Sequence, residues 1–346
     1  MTSQAASPAP PRQASRRQGL SWQVVAGLPA LVILLSVPAW RSSGDQQLLT
    51  QLLTLLALAE VWNLLAGFGG LISIGLQAFI GLGAYGLYVA SDLVGLEPVV
   101  ALPLVTVVIG GAALVSALFV FRLSGGYFAV GTWVVAEVVR LIVSNISAVG
   151  AGTGVSIQSL AQFGPAGRIS LTYWLAVVVG AGSVALVGAV MRSRLGLALR
   201  ATRDGEVAAA ILGVDVFRTK LIVYVLAAAV SAAAGVVIYM SLLRIQPNAA
   251  FSVDWTARMI FVVMIGGLGS VEGPILGTVI YVAMHQWLGD FDTAYLILLG
   301  AIAIGFTIAS PGGLWGLLAR LIPPLRRRHF NVDLSAAGPA QTEAIK

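Results

Sequence analysis

Long apolar runs alternate with short polar or glycine-rich breaks along this chain. Runs at Trp22–Trp40, Leu48–Ala66, Leu71–Ala90, Val99–Phe121, Tyr127–Ser144, Leu171–Met191, Leu221–Leu243 and Ala294–Ala309 suit membrane crossing, for which a helix needs roughly 20 apolar residues. Between Leu243 and Ala294 lies TARMIFVVMIGGLGSVEGPILGTVIYVAMHQWLG, too long for one helix and interrupted by GGLGSVEGP. Such a break, carrying Glu272 and Pro274, is tolerated at membrane depth only where protein or water satisfies its backbone. The stretch therefore divides into Trp255–Gly267 and Pro274–Leu288, with Gly266, Gly267, Gly269, Gly273 and Pro274 forming the break. A second break is expected at Gly67, Gly69 and Gly70. The pattern predicts an all-α, polytopic membrane protein with about ten transmembrane helices, some of them broken at glycine.

Composition agrees. With 58% hydrophobic and 10% charged residues, the chain is an integral membrane protein, since soluble globular chains carry about 25% charged residues. There are no cysteines, which excludes disulfides, thiolate metal sites and cysteine nucleophiles. His285 and His329 stand far apart, so neither a metal site nor a cofactor is expected. The net charge of +6 calls for no nucleic-acid partner, because the basic residues fall where membrane orientation puts them.

Three regions follow. Residues 1–22 are Pro/Ser/Ala-rich with Arg12, Arg16 and Arg17, and read as a disordered cytoplasmic tail. Residues 23–310 form the membrane domain, and residues 311–346 a basic cytoplasmic tail. A cleaved signal peptide ending near Pro38-Ala39 is the rival reading of the N-terminus, disfavoured because further spans follow at once. With ten spans and the N-terminus inside, the inner side collects Arg12, Arg16, Arg17, Arg122, six residues of the 192–220 connection, Arg320, Arg326, Arg327, Arg328 and Lys346. The outer side receives only Arg41, Arg168, Arg244 and Arg258, a strong positive-inside bias, while Arg140 stays in the membrane. A nine-span count places Arg320 to Arg328 outside and largely removes that bias.

The 192–220 connection, RSRLGLALRATRDGEVAAAILGVDVFRTK, is thus the largest inner loop. Arg203 to Gly213 is rich in helix formers, with Gly213 as a C′ glycine. Val207, Ala210, Ile211 and Val214 recur at helical spacing and make one apolar stripe. Such a helix either docks a soluble partner or rests on anionic lipid through its arginines.

This connection resembles the cytoplasmic coupling loop of ABC importer permeases of the branched-chain amino-acid transport family, LivM/LivH-like and specifically of the M type. The family shows S-x-x-G-x-A-x-x-A-x-R-x-x-E-x-A-A-x-x-x-G before a Lys-initiated span. This chain has Ser193, Gly196, Ala198, Ala201, Arg203, Glu206, Ala208, Ala209, Gly213 and Lys220. NLLAGFGGLISIGLQAFIGLGAYG from Asn63, SGGYFAVGTWVVAEVVR from Ser124 and MIGGLGSVEGPILGTVI from Met264 are similar to three further family stretches. The likeness spans roughly Leu48 to Ala309 and departs from the family at AVGAGTGVSIQSL, where a T-G-G-x-x-G turn is usual but only Thr153 and Gly154 remain.

The resemblance implies a permease subunit in a bacterial inner membrane, with both termini cytoplasmic. It implies a second, LivH-like permease, two cytoplasmic ATP-binding subunits and a periplasmic solute-binding protein as partners, besides membrane lipid. Coupling to the ATPases falls to Arg203, Asp204, Gly205, Glu206, Ala208, Ala209 and Gly213. The cargo is a branched-chain or other amino acid, an amide or urea. A phosphate-binding loop needs Gly-Lys-Ser/Thr, and the two lysines, Lys220 and Lys346, follow Thr219 and Ile345, so ATP is handled by a partner.

Polar residues inside the spans keep two readings each. Glu137 and Arg140 sit three apart on one helix face and form either a packing pair or a gating group. Asn63, with Glu60 three residues before it, either holds the broken helix through a satisfied contact or lines the path. Ser73, Gln77 and Thr132 are either weak donors to a passing solute or helix–helix glue. Gly75, Gly81, Gly83 and Gly86 read first as close-packing positions. The competing class is a proton- or ion-coupled secondary transporter using Glu60 or Glu137. An intramembrane enzyme needs a catalytic set that the sequence does not display.

Overall fold

The computed structural model describes residues 34–39, 41–288, 300–302, 304–305 and 312–321. Six helices among the described residues are long and apolar enough to cross a membrane. The chain is a multi-pass helical membrane protein. The expected spans Trp22–Trp40 and Ala294–Ala309 lie mostly outside the described residues, as do the first tail and most of the last.

Helix α1 (Ser43–Asn63) is the axis, packed against the later helices Gly164–Arg192, Val216–Leu242, Asp254–Gly266 and Gly273–Leu288. Ser42 caps it by accepting a bond from the Asp45 amide. Inside the helix, Thr50 and Thr54 return their hydroxyls to the carbonyls of Gln46 and Thr50, so neither hydroxyl is left unpaired. At its far end the helix widens into a π turn, Leu64–Phe68, and stops at Gly70, whose φ of +67° favours glycine.

Here one expectation is corrected. The apolar run Leu71–Ala90 is not a single helix: residues 71–76 run as non-helical chain back into the bundle, and only then does α2 (Gln77–Tyr88) begin, lengthened by a π turn at Val89–Leu93. The exposed backbone of this inserted segment is satisfied by protein. Trp62 Nε1 donates to the Ser73 carbonyl at 3.0 Å, and the Ile74 amide donates to Thr132 Oγ1 at 3.0 Å.

The remaining spans fall on the expected apolar runs, two of them, Gly164–Arg192 and Val216–Leu242, beginning several residues earlier than the runs Leu171–Met191 and Leu221–Leu243. They are α3 (Pro98–Val120), α4 (Gly126–Ser144), α5 (Gly164–Arg192) and α8 (Val216–Leu242). A short turn α9 (Pro247–Ala250) leads into α10 (Asp254–Gly266), and α11 (Gly273–Leu288) returns from the glycine break. At 16 residues α11 is shorter than a crossing requires, as is α2 at 12. Helix α12 (Gly313–Leu321) lies within the stretch expected to be tail, and Gly313 abuts Gly267 so closely that a Cβ there would lie 2.5 Å from the Gly267 Cα.

Small residues set the helix crossings. A Cβ on Gly83 of α2 or Gly235 of α8 would run into the backbone of Ala232 or Ile80 in the other helix. Gly75, Gly81 and Gly86 likewise abut Thr132, Phe251 and Val105, which bears out their reading as packing positions.

The end opposite the 192–220 connection is knitted across the chain. Val155 and Ser156 pair antiparallel with Ile245 and Arg244, and the Asp92 carboxylate accepts from the amides of Gln158 and Ser159 and from the Ser159 hydroxyl. The AVGAGTGVSIQSL stretch therefore forms a braced cap, turned by Gly150 and Gly154, both at φ +80°.

Candidate coupling and gating site

The connection between α5 and α8 is two helices rather than one. Helix α6 (Arg194–Asp204) is capped by Ser193, whose hydroxyl accepts from the Leu195 amide, and α7 (Glu206–Ile211) follows after Gly205. This corrects the expected single helix from Arg203 to Gly213: Arg203 and Asp204 close the first helix, and Gly205, in extended backbone, separates it from the second. The expected C′ glycine is found. Gly213 adopts φ +86°, its amide bonds the Ala210 carbonyl and the Val214 amide bonds that of Ala209, the two bonds of a Schellman ending.

Ala209 is buried beneath α7, while Ala208 is exposed. Glu206 pairs with Lys220 on α8, fixing the short helix to the next span. The apolar stripe faces outward: Val207 is 76% exposed, Ile211 80% and the adjoining Leu212 81%. Three large apolar side chains so bare at a charged loop make a surface that calls for a cover.

Helix α6 turns its other face to the end of α1. Leu199 is fully buried against Gly69, and the Arg200 guanidinium stands 5.7 Å above the Phe68 ring. Arg203 donates from Nη1 to the Gly67 carbonyl at 2.7 Å, and its Nε pairs with Asp204 at 3.2 Å. The resemblance implies a coupling role for Arg203; its reach to Gly67 has no sequence signal, because the two are joined only by the fold.

At Gly67 the two glycine breaks cross. Asn63, buried one turn earlier, donates from Nδ2 to the Ser270 carbonyl at 2.8 Å and accepts the Gly269 amide on Oδ1 at 2.8 Å. A Cβ on Gly67 would lie 2.6 Å from the Gly269 nitrogen and overlap the Asn63 side chain, so only glycine fits. Gly267 and Gly269 take φ values of +130° and +76°, which turn the chain from α10 into α11. Gly266 and Gly273 then lie back to back, leaving no room for a side chain at either, and Pro274 falls in the first turn of α11.

The expectation of a satisfied polar contact holds for Asn63 and fails for Glu60. The Glu60 side chain is fully buried, and neither carboxylate oxygen has a hydrogen-bond partner among the described residues. Helical spacing puts both residues on one face without bringing both to the same partners.

Ser73, Gln77 and Thr132 are brought together around the inserted segment, all buried. Thr132 accepts from Ile74, Gln77 donates to the Ile74 carbonyl at 2.8 Å, and Gln77 Oε1 accepts from Thr256 at 2.6 Å. These groups hold non-helical backbone inside the bundle.

Glu137 and Arg140 form the expected i, i+3 ion pair, with Arg140 Nε within 3.0 Å of both carboxylate oxygens. Arg140 Nη1 also reaches Asn248 Oδ1 at 2.7 Å, a partner on α9 that the sequence does not indicate. The pair sits on a helix that is mostly uncovered, with 46% of the Glu137 side chain and 23% of that of Arg140 exposed. Charged groups at membrane depth face protein or water rather than lipid.

Broken, glycine-braced spans in a multi-pass helical bundle are the architecture on which the comparison with known proteins puts a class, that of transport permeases. The chain matches the family described as branched-chain amino acid transport system, permease component, over residues 46–307, and it belongs to that family. Among its relatives, the high-affinity branched-chain amino acid transport system permease protein LivM of Salmonella typhimurium is 27% identical over 310 residues, covering 82% of this chain and 73% of the relative. The LivM protein of Escherichia coli is 26% identical over the same shares. A probable LivM of Methanocaldococcus jannaschii is 22% identical over 295 residues, covering 77% of this chain and 86% of its own. No solved structure matches the chain.

Proposed function

We propose that this chain is the membrane-spanning subunit of an ATP-driven importer for branched-chain amino acids or related small polar solutes, in a bacterial inner membrane with both termini cytoplasmic. The observation that carries the coupling is the exposed face of α7: Val207, Ile211 and Leu212 project from the loop that the basic residues assign to the cytoplasm. A chain with no phosphate-binding loop draws on ATP through a partner, and a bare apolar helix beside a fixed glycine turn suits docking into a groove of that partner.

In this reading two cytoplasmic ATP-binding subunits cover α7, a second permease covers the open face of α4, and a periplasmic solute-binding protein docks on the cap around Val155 and Arg244. Solute passes along the face bearing Glu137 and Arg140, where side chains remain accessible. Asn63, Ser73, Gln77 and Thr132 serve that path from behind, holding the broken segments that border it.

Deleting Gly205 to Gly213 is expected to abolish leucine uptake while the chain still inserts in the membrane. Uptake that survives the deletion removes the coupling role. Solute accumulation by the purified chain alone in vesicles establishes the secondary-transporter reading instead.

A further inference from the structure

We infer that Arg203 is the positioning residue that carries movement of the cytoplasmic connection into the glycine crossing, an inference that rests on the coupling role proposed for that connection. The arginine lies at the joint between α6 and α7, so any displacement of α7 by a docked partner acts there first. Its side chain, 42% exposed, reaches back to the end of α1. The stem packs on Gly70, where an added Cβ would lie 3.0 Å from Arg203 Cγ, and the guanidinium holds the Gly67 carbonyl.

Gly67 lies in the π turn that ends α1, and a π turn leaves the helical ladder locally loosened. The next link is rigid. Asn63 grips the Gly269 amide and the Ser270 carbonyl, so a shift of the α1 end is passed to the break between α10 and α11. A side chain on Gly269 would meet the same guanidinium, since an added Cβ would lie 3.7 Å from Arg203 Nη1. Three segments remote in sequence, at 63–70, 203 and 266–273, thus meet through one guanidinium and one side-chain amide. Arg200 stacks on Phe68 beside them and supplies area without a directed bond, which suits it to seating α6 rather than to pulling on Gly67.

The experiment uses the complex purified through a tag on this chain, reconstituted in vesicles, with leucine as the probe solute and uptake per ATP hydrolysed as the readout. R203Q and R203M keep the stem and remove the charged donor; R203K restores a donor without the planar fork. The expected result is assembled complex with ATP hydrolysis near the wild-type rate, and uptake per ATP reduced about tenfold or more in R203Q and R203M, the scale of one lost charge-assisted hydrogen bond. R203K is expected to recover part of the ratio. An unchanged ratio in R203Q and R203M overturns the inference. Equal loss of hydrolysis and uptake also overturns it, assigning Arg203 to docking, and failure of both variants to assemble assigns it to folding. None of these outcomes touches the coupling role itself, which the deletion of Gly205 to Gly213 tests separately.

Discussion

At the scale of single residues, the glycines divide sharply by what surrounds them. Gly67 has backbone of Gly269 where a Cβ would go, whereas Gly111 on α3 has nothing within 4 Å. Gly67→Ala is therefore expected to destabilise the purified protein by about 1–3 kcal/mol or more through overpacking against atoms that cannot rotate away, seen as a lowered melting temperature. Gly111→Ala is expected to leave that temperature unchanged or slightly higher. Glu60 presents the opposite case, a fully buried carboxyl whose oxygens make no hydrogen bond among the described residues. A charge at the centre of a span costs roughly 2.5–3.5 kcal/mol on insertion scales, so Glu60→Gln should preserve or raise folded yield and leave uptake intact. Loss of uptake with normal yield would make Glu60 a functional carboxylate and favour ion-coupled transport.

At the scale of elements, the long runs were readable because hydrocarbon demands continuous apolar helix and little else. The sequence spans Val99–Phe121 and Tyr127–Ser144 and the observed helices Pro98–Val120 and Gly126–Ser144 differ by a single residue at most at each end. The extent of the segment after Gly70 was not readable, because periodicity alone does not separate a short apolar helical run from a non-helical one. Gly67, Gly69 and Gly70 marked where the break begins but not how far it runs, and the partners that stabilise it, Trp62 and Thr132, come from outside the segment. The same limit hid Ser270, Arg200 and Asn248, whose roles depend on which loops the fold brings together. In the connection, helical periodicity ran through Gly205 without marking the joint, while the C′ glycine was legible from local chemistry alone. That ending predicts its own test: Gly213→Val forces a β-branched residue to φ +86° and should cost about 1–2 kcal/mol locally. Because α7 is short and held mainly by this ending and by the Glu206–Lys220 pair, the expected readout is faster protease cleavage within residues 205–213, with the melting temperature of the bundle unchanged.

For the whole molecule, the two ends of the bundle differ in kind, and the difference follows from charge and from packing independently. One end gathers the basic connections and leaves apolar side chains bare on α7; the other is closed by the Val155–Ile245 pairing and the Asp92 bonds. Positive residues are retained on the cytoplasmic side during insertion, so the apolar knob should face the compartment where ATP is made. The natural absence of cysteine allows a direct measurement. Ile211→Cys, at an 80% exposed position, should react with a membrane-impermeant thiol reagent in inside-out vesicles and stay unmodified in right-side-out ones. Phe163→Cys, at the opposite end and 36% exposed, should show the reverse. Labelling of both from the same side would break the bundle topology, and an exchange of sides would put α7 out of reach of any cytoplasmic ATPase. With the expected pattern, saturating the membrane with the ATP-binding subunits should further protect Ile211→Cys and leave Phe163→Cys unaffected, since only the former lies on the face that a docked partner covers.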